Sequence, residues 1–179
     1  MARPRRFAPR RPFPPYAYLG PPQAHPRNDP RGHAFGAPDA PPPPLDPDRW
    51  RKSEDYLYGI DLFNHGYYWE AHEAWEGLWI AAGKRGAVSE FLKGLIKLTA
   101  AGVKARQGVP EGVEKHAERA RRHFSETRKA LGSDRFAGFG FEDLDGFARE
   151  VGRRARDLPV RAGKGPAVIF DRPLEPRDG

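Results

Sequence analysis

The 179-residue chain contains no cysteine. That excludes disulfides and thiolate metal sites, and it fits a reducing compartment. Long apolar runs are missing too: none approaches the ~20 residues needed to cross a bilayer, so a membrane partner is not expected. The opening segment MARPRRFAPRRP is basic, but no hydrophobic core follows it, which argues against a secretory signal. Its proline density argues equally against the amphipathic helix of a mitochondrial presequence. The cytoplasm is the expected location. Concentrated charge is the third absence. The formal net charge of +7 divides into +3 for residues 1–48, +3 for 49–158 and +1 for the remainder. Arg119–Lys129 and Arg149–Arg156 are locally basic, but such runs are usually solvated helix faces, and charge alone does not favour a nucleic-acid partner.

Proline is plentiful, and it is unevenly spread. Of 20 prolines, 15 lie in residues 1–48. With few large apolar residues to offset ordering entropy, residues 1–45 read as a disordered Pro/Arg-rich arm with polyproline II character. Composition then shifts. Asp46-Pro47 is a helix start, since Asp accepts from free amides and Pro suits the first helical position. The first helix runs to about Asn64 and is closed by His65-Gly66, with His65 as a capping residue. A second covers Tyr67 to about Ala82, so a short turn implies an antiparallel hairpin. After GKRG, a third spans about Ser89–Arg106, where Phe91, Leu95, Leu98 and Gly102 step by four, three and four. Its small residues Gly94, Ala101, Gly102 and Ala105 admit a close neighbour. A fourth helix runs from Pro110 to Leu131, and a fifth from about Glu142 to Asp157.

No stretch pairs strand alternation with a hairpin signal, and no helical repeat recurs at a fixed period. The expected fold is all-α: a compact bundle of about five helices built from helical hairpins, spanning residues 46–158. An irregular tail, 159–179, follows, in which Val168-Ile169-Phe170 could pack back on the bundle.

The second helix carries the only cluster with chemical interest. At about 100° per residue, Tyr67, Ala71, Ala74, Trp75 and Leu78 share a core face. Glu70, Glu73 and Glu76 lie opposite, with His72 at the boundary, and Trp69 falls off the core face, where it meets another element or a partner. Three carboxylates within two turns repel one another and call for positive charge. A divalent metal (Zn, Mn or Fe) held by His72, Glu76 and His116 would supply it, with Glu70 and Glu73 as catalytic carboxylates; His123 is a further nitrogen on the fourth helix. So would Lys93 and Lys97, four apart on the third helix, in a structural polar network. The aromatics Tyr67, Tyr68, Trp69, Trp75 and Trp79 could instead line a ligand pocket, although aromatics at helical spacing are more often core.

The run Leu62-Phe63-Asn64-His65-Gly66-Tyr67-Tyr68-Trp69-Glu70-Ala71-His72-Glu73, followed by Glu76 and Trp79, resembles the signature of a bacterial family described as domain of unknown function 309. Phe91-Leu92-Lys93-Gly94-Leu95-Ile96-Lys97-Leu98, then Gly108 and Gly112, extends the resemblance over roughly residues 55–131. The resemblance implies an all-helical fold, and members are often labelled predicted metal-dependent hydrolases. Carried over, that label points to Glu70, His72, Glu73 and Glu76. This chain has Lys97 where many relatives have glutamine, which supplies charge a metal would otherwise supply. The preferred expectation is therefore a non-catalytic binding or scaffold module with a Glu/His/Lys network, its partner another protein or a second copy; the alternative is a metal-dependent hydrolase.

Overall fold

The computed structural model describes residues 4–38, 40–161, 163 and 165–178. Parts of the expected arm (1–3 and 39) and tail (162, 164 and 179) lie outside the described residues. The Asp46 carboxylate accepts from the Asp48 and Arg49 amides at 3.0 and 3.3 Å, as a helix start requires. The turn that follows is a short 3-10 helix, Pro47–Lys52. Ser53 is extended and opens α1, Glu54–Asn64, with its hydroxyl accepting from the Tyr56 amide. The single first helix expected from the sequence is thus two pieces, because Ser53 offers a second cap inside it.

Gly66 joins α1 to α2, Tyr68–Ala81, with a φ of 83° that suits glycine. A side chain there would also collide with the tail, since its Cβ would lie 2.4 Å from the Ala167 carbonyl carbon. The bundle continues with α3, Gly86–Arg106, α4, Pro110–Leu131, and α5, Phe141–Arg153. Consecutive helices pack on one another from α1 to α4, and α5 covers α4. The small residues of α3 act as anticipated: Gly94 lies against the Phe124 ring of α4 and Gly102 against the Tyr68 ring of α2. Between α4 and α5 a two-residue antiparallel ladder, β1 (Arg135–Phe136) with β2 (Phe139–Gly140), turns through Ala137-Gly138, both at positive φ. It is too short to give an alternating pattern. Among the described residues no helix is long and apolar enough to cross a membrane.

The core is aromatic. Trp75, Tyr56, Tyr68, Phe63, Phe91 and Phe124 are all fully buried, each contributing on the order of 2–3 kcal/mol. The tail completes it. Phe170 stacks on Phe63 at 5.5 Å, the Ile169 amide donates to Tyr68 Oη at 2.9 Å, and the Asn64 amide exchanges two hydrogen bonds with the Leu174 backbone. The buried Arg106 guanidinium donates to the carbonyls of Arg161, Gly163 and Gly165.

The arm differs most from its expectation of disorder. Its described residues have no regular secondary structure, yet they lie against α1 and α2, with Ala8 and Ala17 buried. The physical reason is satisfied polarity rather than apolar area. Asp61 is fully buried, and its carboxylate accepts from Arg6 Nε at 2.8 Å and the Phe7 and Ala8 amides at 2.7 and 2.8 Å. Tyr58 Oη donates to the Pro12 carbonyl, Phe13 stacks on Tyr67, and Gln107 donates to the Leu19 carbonyl. Each contact anchors a segment that has no helix or sheet of its own.

Candidate functional site: a cleft beneath the arm

Glu70, Glu73, Ala74 and Gly77 fall at i, i+3, i+4 and i+7, so they share one face of α2. Asp55, Tyr58 and Leu62 share a face of α1 in the same way. The arm crosses both faces and encloses a cleft of about 660 Å³, adding Arg11, Arg27, His33 and Pro41-Pro42 to its walls. That volume is in the range of small-molecule sites. Trp69 forms one wall. It is not a core residue; Tyr18 and His25 of the arm meet it edge-on at 5.1 and 5.3 Å. The element it meets is therefore the arm.

Glu70 is the chemical centre. It is only 5 % exposed, and Oε1 accepts from the Tyr18 amide at 2.7 Å. Oε2 is buried without a hydrogen-bond partner. Burial pushes the carboxyl up to about 7, opposed by the Tyr18 amide bond and helped by the nearby Glu73 charge. His33 Nε2 lies 3.6 Å from Oε1 and is likewise buried without a partner. Burial lowers this imidazole below its ordinary value, so it is neutral at pH 7. Two unpaired polar atoms in one wall are uncommon in a folded protein, where such groups are nearly always satisfied. Around them the charges are engaged: Arg11 Nη1 meets Asp55 at 2.6 Å and Arg27 Nε meets Glu73 at 3.4 Å. Glu73 is raised by burial first and then by Glu76, against the pull of Arg27 and His25.

Glu76 lines the cleft as well, and the remaining sequence candidates lie elsewhere. His72 is turned toward α3, with Nδ1 3.4 Å from Thr99 Oγ1. Burial lowers its imidazole, with Glu76 opposing that shift and Lys97 adding to it. Lys93 does not reach the α2 glutamates; its ammonium donates to Glu90 Oε1 at 2.7 Å, and Glu90 Oε2 meets His123 Nδ1 at 2.8 Å. Lys97 feels Glu76, but also the like charges of Arg119 and Lys93. His116 Nδ1 is buried without a partner, and burial together with Lys97, Arg119, Lys104 and Lys115 lowers this imidazole to about 4. His65 is a cap, its amide and ring both on the Asp61 carbonyl.

This arrangement does not suit a divalent cation. Among the described residues no three His, Asp or Glu side chains gather into a metal-ligand group. The orphaned nitrogen that most invites a metal, His116 Nδ1, sits among four cationic side chains. Glu70 and Glu73 face the arm, while His72 faces α3.

Sequence reasoning missed His33, Arg11, Arg27 and the Tyr18 amide. One signal was present: Phe7, Phe13, Tyr16 and Tyr18 give the arm more aromatic residues than a disordered segment ordinarily carries.

Comparison with curated proteins and with solved structures gave no match. A family model matches residues 56–116, which covers most of α1, all of α2 and α3, and the start of α4, but none of the arm. The α1 and α2 walls of the cleft thus lie almost wholly inside the matched segment, which is similar to the family described as domain of unknown function (DUF309).

Proposed function

We propose that the domain is a non-catalytic binding module whose site is the cleft between the arm and the α1/α2 hairpin. The observation that carries this reading is the pair of buried, unpartnered atoms, Glu70 Oε2 and His33 Nε2, on residues lining a cleft of about 660 Å³. Orphaned polar groups cost about 1–3 kcal/mol each, a cost that a bound ligand would relieve. Among the described residues the lining includes no serine, threonine or lysine, and the metal-hydrolase reading has no converging donor set. His72, Thr99, Glu90, Lys93 and His123 act in this reading as a brace between α2, α3 and α4.

The test is a fragment screen against the full chain, followed by two-dimensional proton–nitrogen NMR. Hits are expected to move the Trp69 indole and Tyr18 amide resonances together. Hits that cluster only on α4 and α5, or a library that leaves both reporters still, would overturn the reading.

A further inference from the structure

The charge of the cleft runs against that of the whole chain. The protein is +7 overall, yet among the described residues four carboxyl groups line the cleft (Asp55, Glu70, Glu73 and Glu76) against two guanidinium groups (Arg11 and Arg27). Both guanidinium groups are already engaged, Arg11 by Asp55 and Arg27 by Glu73. Two carboxyl groups remain. Glu76 has no ion pair among the described residues, and Glu70 keeps Oε2 unpartnered while nineteen-twentieths buried.

We propose that the cleft recognises a small organic ammonium ion, its nitrogen donating to Glu70 Oε2 and His33 Nε2 and its apolar body lying along Trp69 and Tyr58. This rests on the cleft being the binding site. The donor count decides the class. An ammonium offers three donors and no acceptor, so one group can satisfy both orphaned atoms when His33 carries its proton on Nδ1. A hydroxyl has one donor and satisfies only one of them. A carboxylate brings acceptors to a wall that already has a carboxyl excess. The indole of Trp69 adds a face suited to a cation, and Leu62 and the half-exposed Ile80 extend the apolar floor.

Proton linkage follows from the same contact. The groups around Glu70 are His33 of the arm, Tyr58 of α1, Tyr67 and Glu73 of α2, and Arg106 of α3. The cation holds the carboxyl ionised, so binding near neutral pH expels its proton to solvent, and affinity rises between pH 6 and 8.

The experiment uses three probes of one shape on the full chain: 4-phenylbutylamine, 4-phenylbutanol and 4-phenylbutyrate. The Trp69 indole and Tyr18 amide report by NMR. The amine alone is expected to saturate both resonances, with affinity rising as pH increases, and with a loss of about tenfold or more in Glu70→Gln. That variant keeps an oxygen to accept from Tyr18, and the rest of its spectrum reports whether it is folded. Glu76→Gln serves as a second variant, expected to weaken the amine less. Equal response to the alcohol or the acid would overturn the ammonium assignment while leaving the cleft as the site. Silence from all three probes overturns the assignment, and the fragment screen judges the cleft separately.

Discussion

Glu70→Gln should stabilise the protein at alkaline pH and leave it nearly unchanged at acid pH. The folded state holds the Glu70 proton up to about 7, against an ordinary value of 4.5. The folded protein therefore binds more protons than the unfolded chain between those limits, and the free energy of unfolding falls as pH rises through them. The difference of about 2.5 pH units corresponds to a loss on the order of 3 kcal/mol above pH 7. Glutamine cannot ionise, yet its side-chain oxygen can still accept from the Tyr18 amide. The variant should gain up to about 3 kcal/mol over the wild type at pH 8 and nothing below pH 4.5. His116 complicates the raw curves with the opposite slope: its imidazole is lowered to about 4, so its contribution is present above its ordinary 6.5 and lost as pH falls. Subtracting wild type from variant removes that term. Urea denaturation followed by the fluorescence of the four tryptophans, at pH 4.5, 6 and 8, gives the difference directly. A difference that does not change with pH would refute the burial argument, as would equal destabilisation at every pH.

Two further substitutions test the fold around the cleft. Asp61→Ala removes the acceptor of three hydrogen bonds that hold the arm, and should cost about 3 kcal/mol or more in urea denaturation. Trypsin should then cut after Arg6 and Arg10 faster than in the wild type; unchanged protection of the arm would mean that Asp61 does not hold it. Gly94→Ala would put a Cβ 2.3 Å from Phe124 Cε1 and should lower stability by about 1–3 kcal/mol. Gly146→Ala on the exposed side of α5, with nothing within 4 Å, should instead be neutral or stabilising by up to about 1 kcal/mol, so the pair separates packing from propensity in one thermal melt.

The helices were legible because their signals are local. Asp46-Pro47, His65-Gly66 and the Phe91–Leu98–Gly102 spacing each specify a start, a stop or a buried face within a few residues. Gly94 and Gly102 even announced close approach, although the sequence could not say that Phe124 and Tyr68 would fill the space. The break at Ser53 was missed because two caps, Asp46 and Ser53, lie seven residues apart, and the apolar spacing of Trp50, Leu57 and Ile60 runs through both. The arm was not legible at all. What holds it is three donors on one buried aspartate 53–55 residues away, and Asp61 reads in the sequence as one more polar residue in an amphipathic helix.

The same distance dependence explains the candidate site. The crowding of Glu70, Glu73 and Glu76 on one side of α2 correctly asks for compensation, and the sequence offers Lys93 and Lys97 because they sit on the next helix at helical spacing. Charge balance is settled by whatever packs against the face, however remote. Here the arm supplies Arg27 for Glu73 at 3.4 Å, while Lys93 turns to Glu90 on its own helix at 2.7 Å. Once Arg27 has taken Glu73, Glu70 is left with the Tyr18 amide, a neutral imidazole and the charge of Arg106, whose own donors go to the tail carbonyls. Together they do not outweigh burial, which sets its proton affinity. The unpaired Oε2 is what remains of a cluster that the arm has only partly neutralised, and that remainder distinguishes a binding wall from an ordinary solvated face.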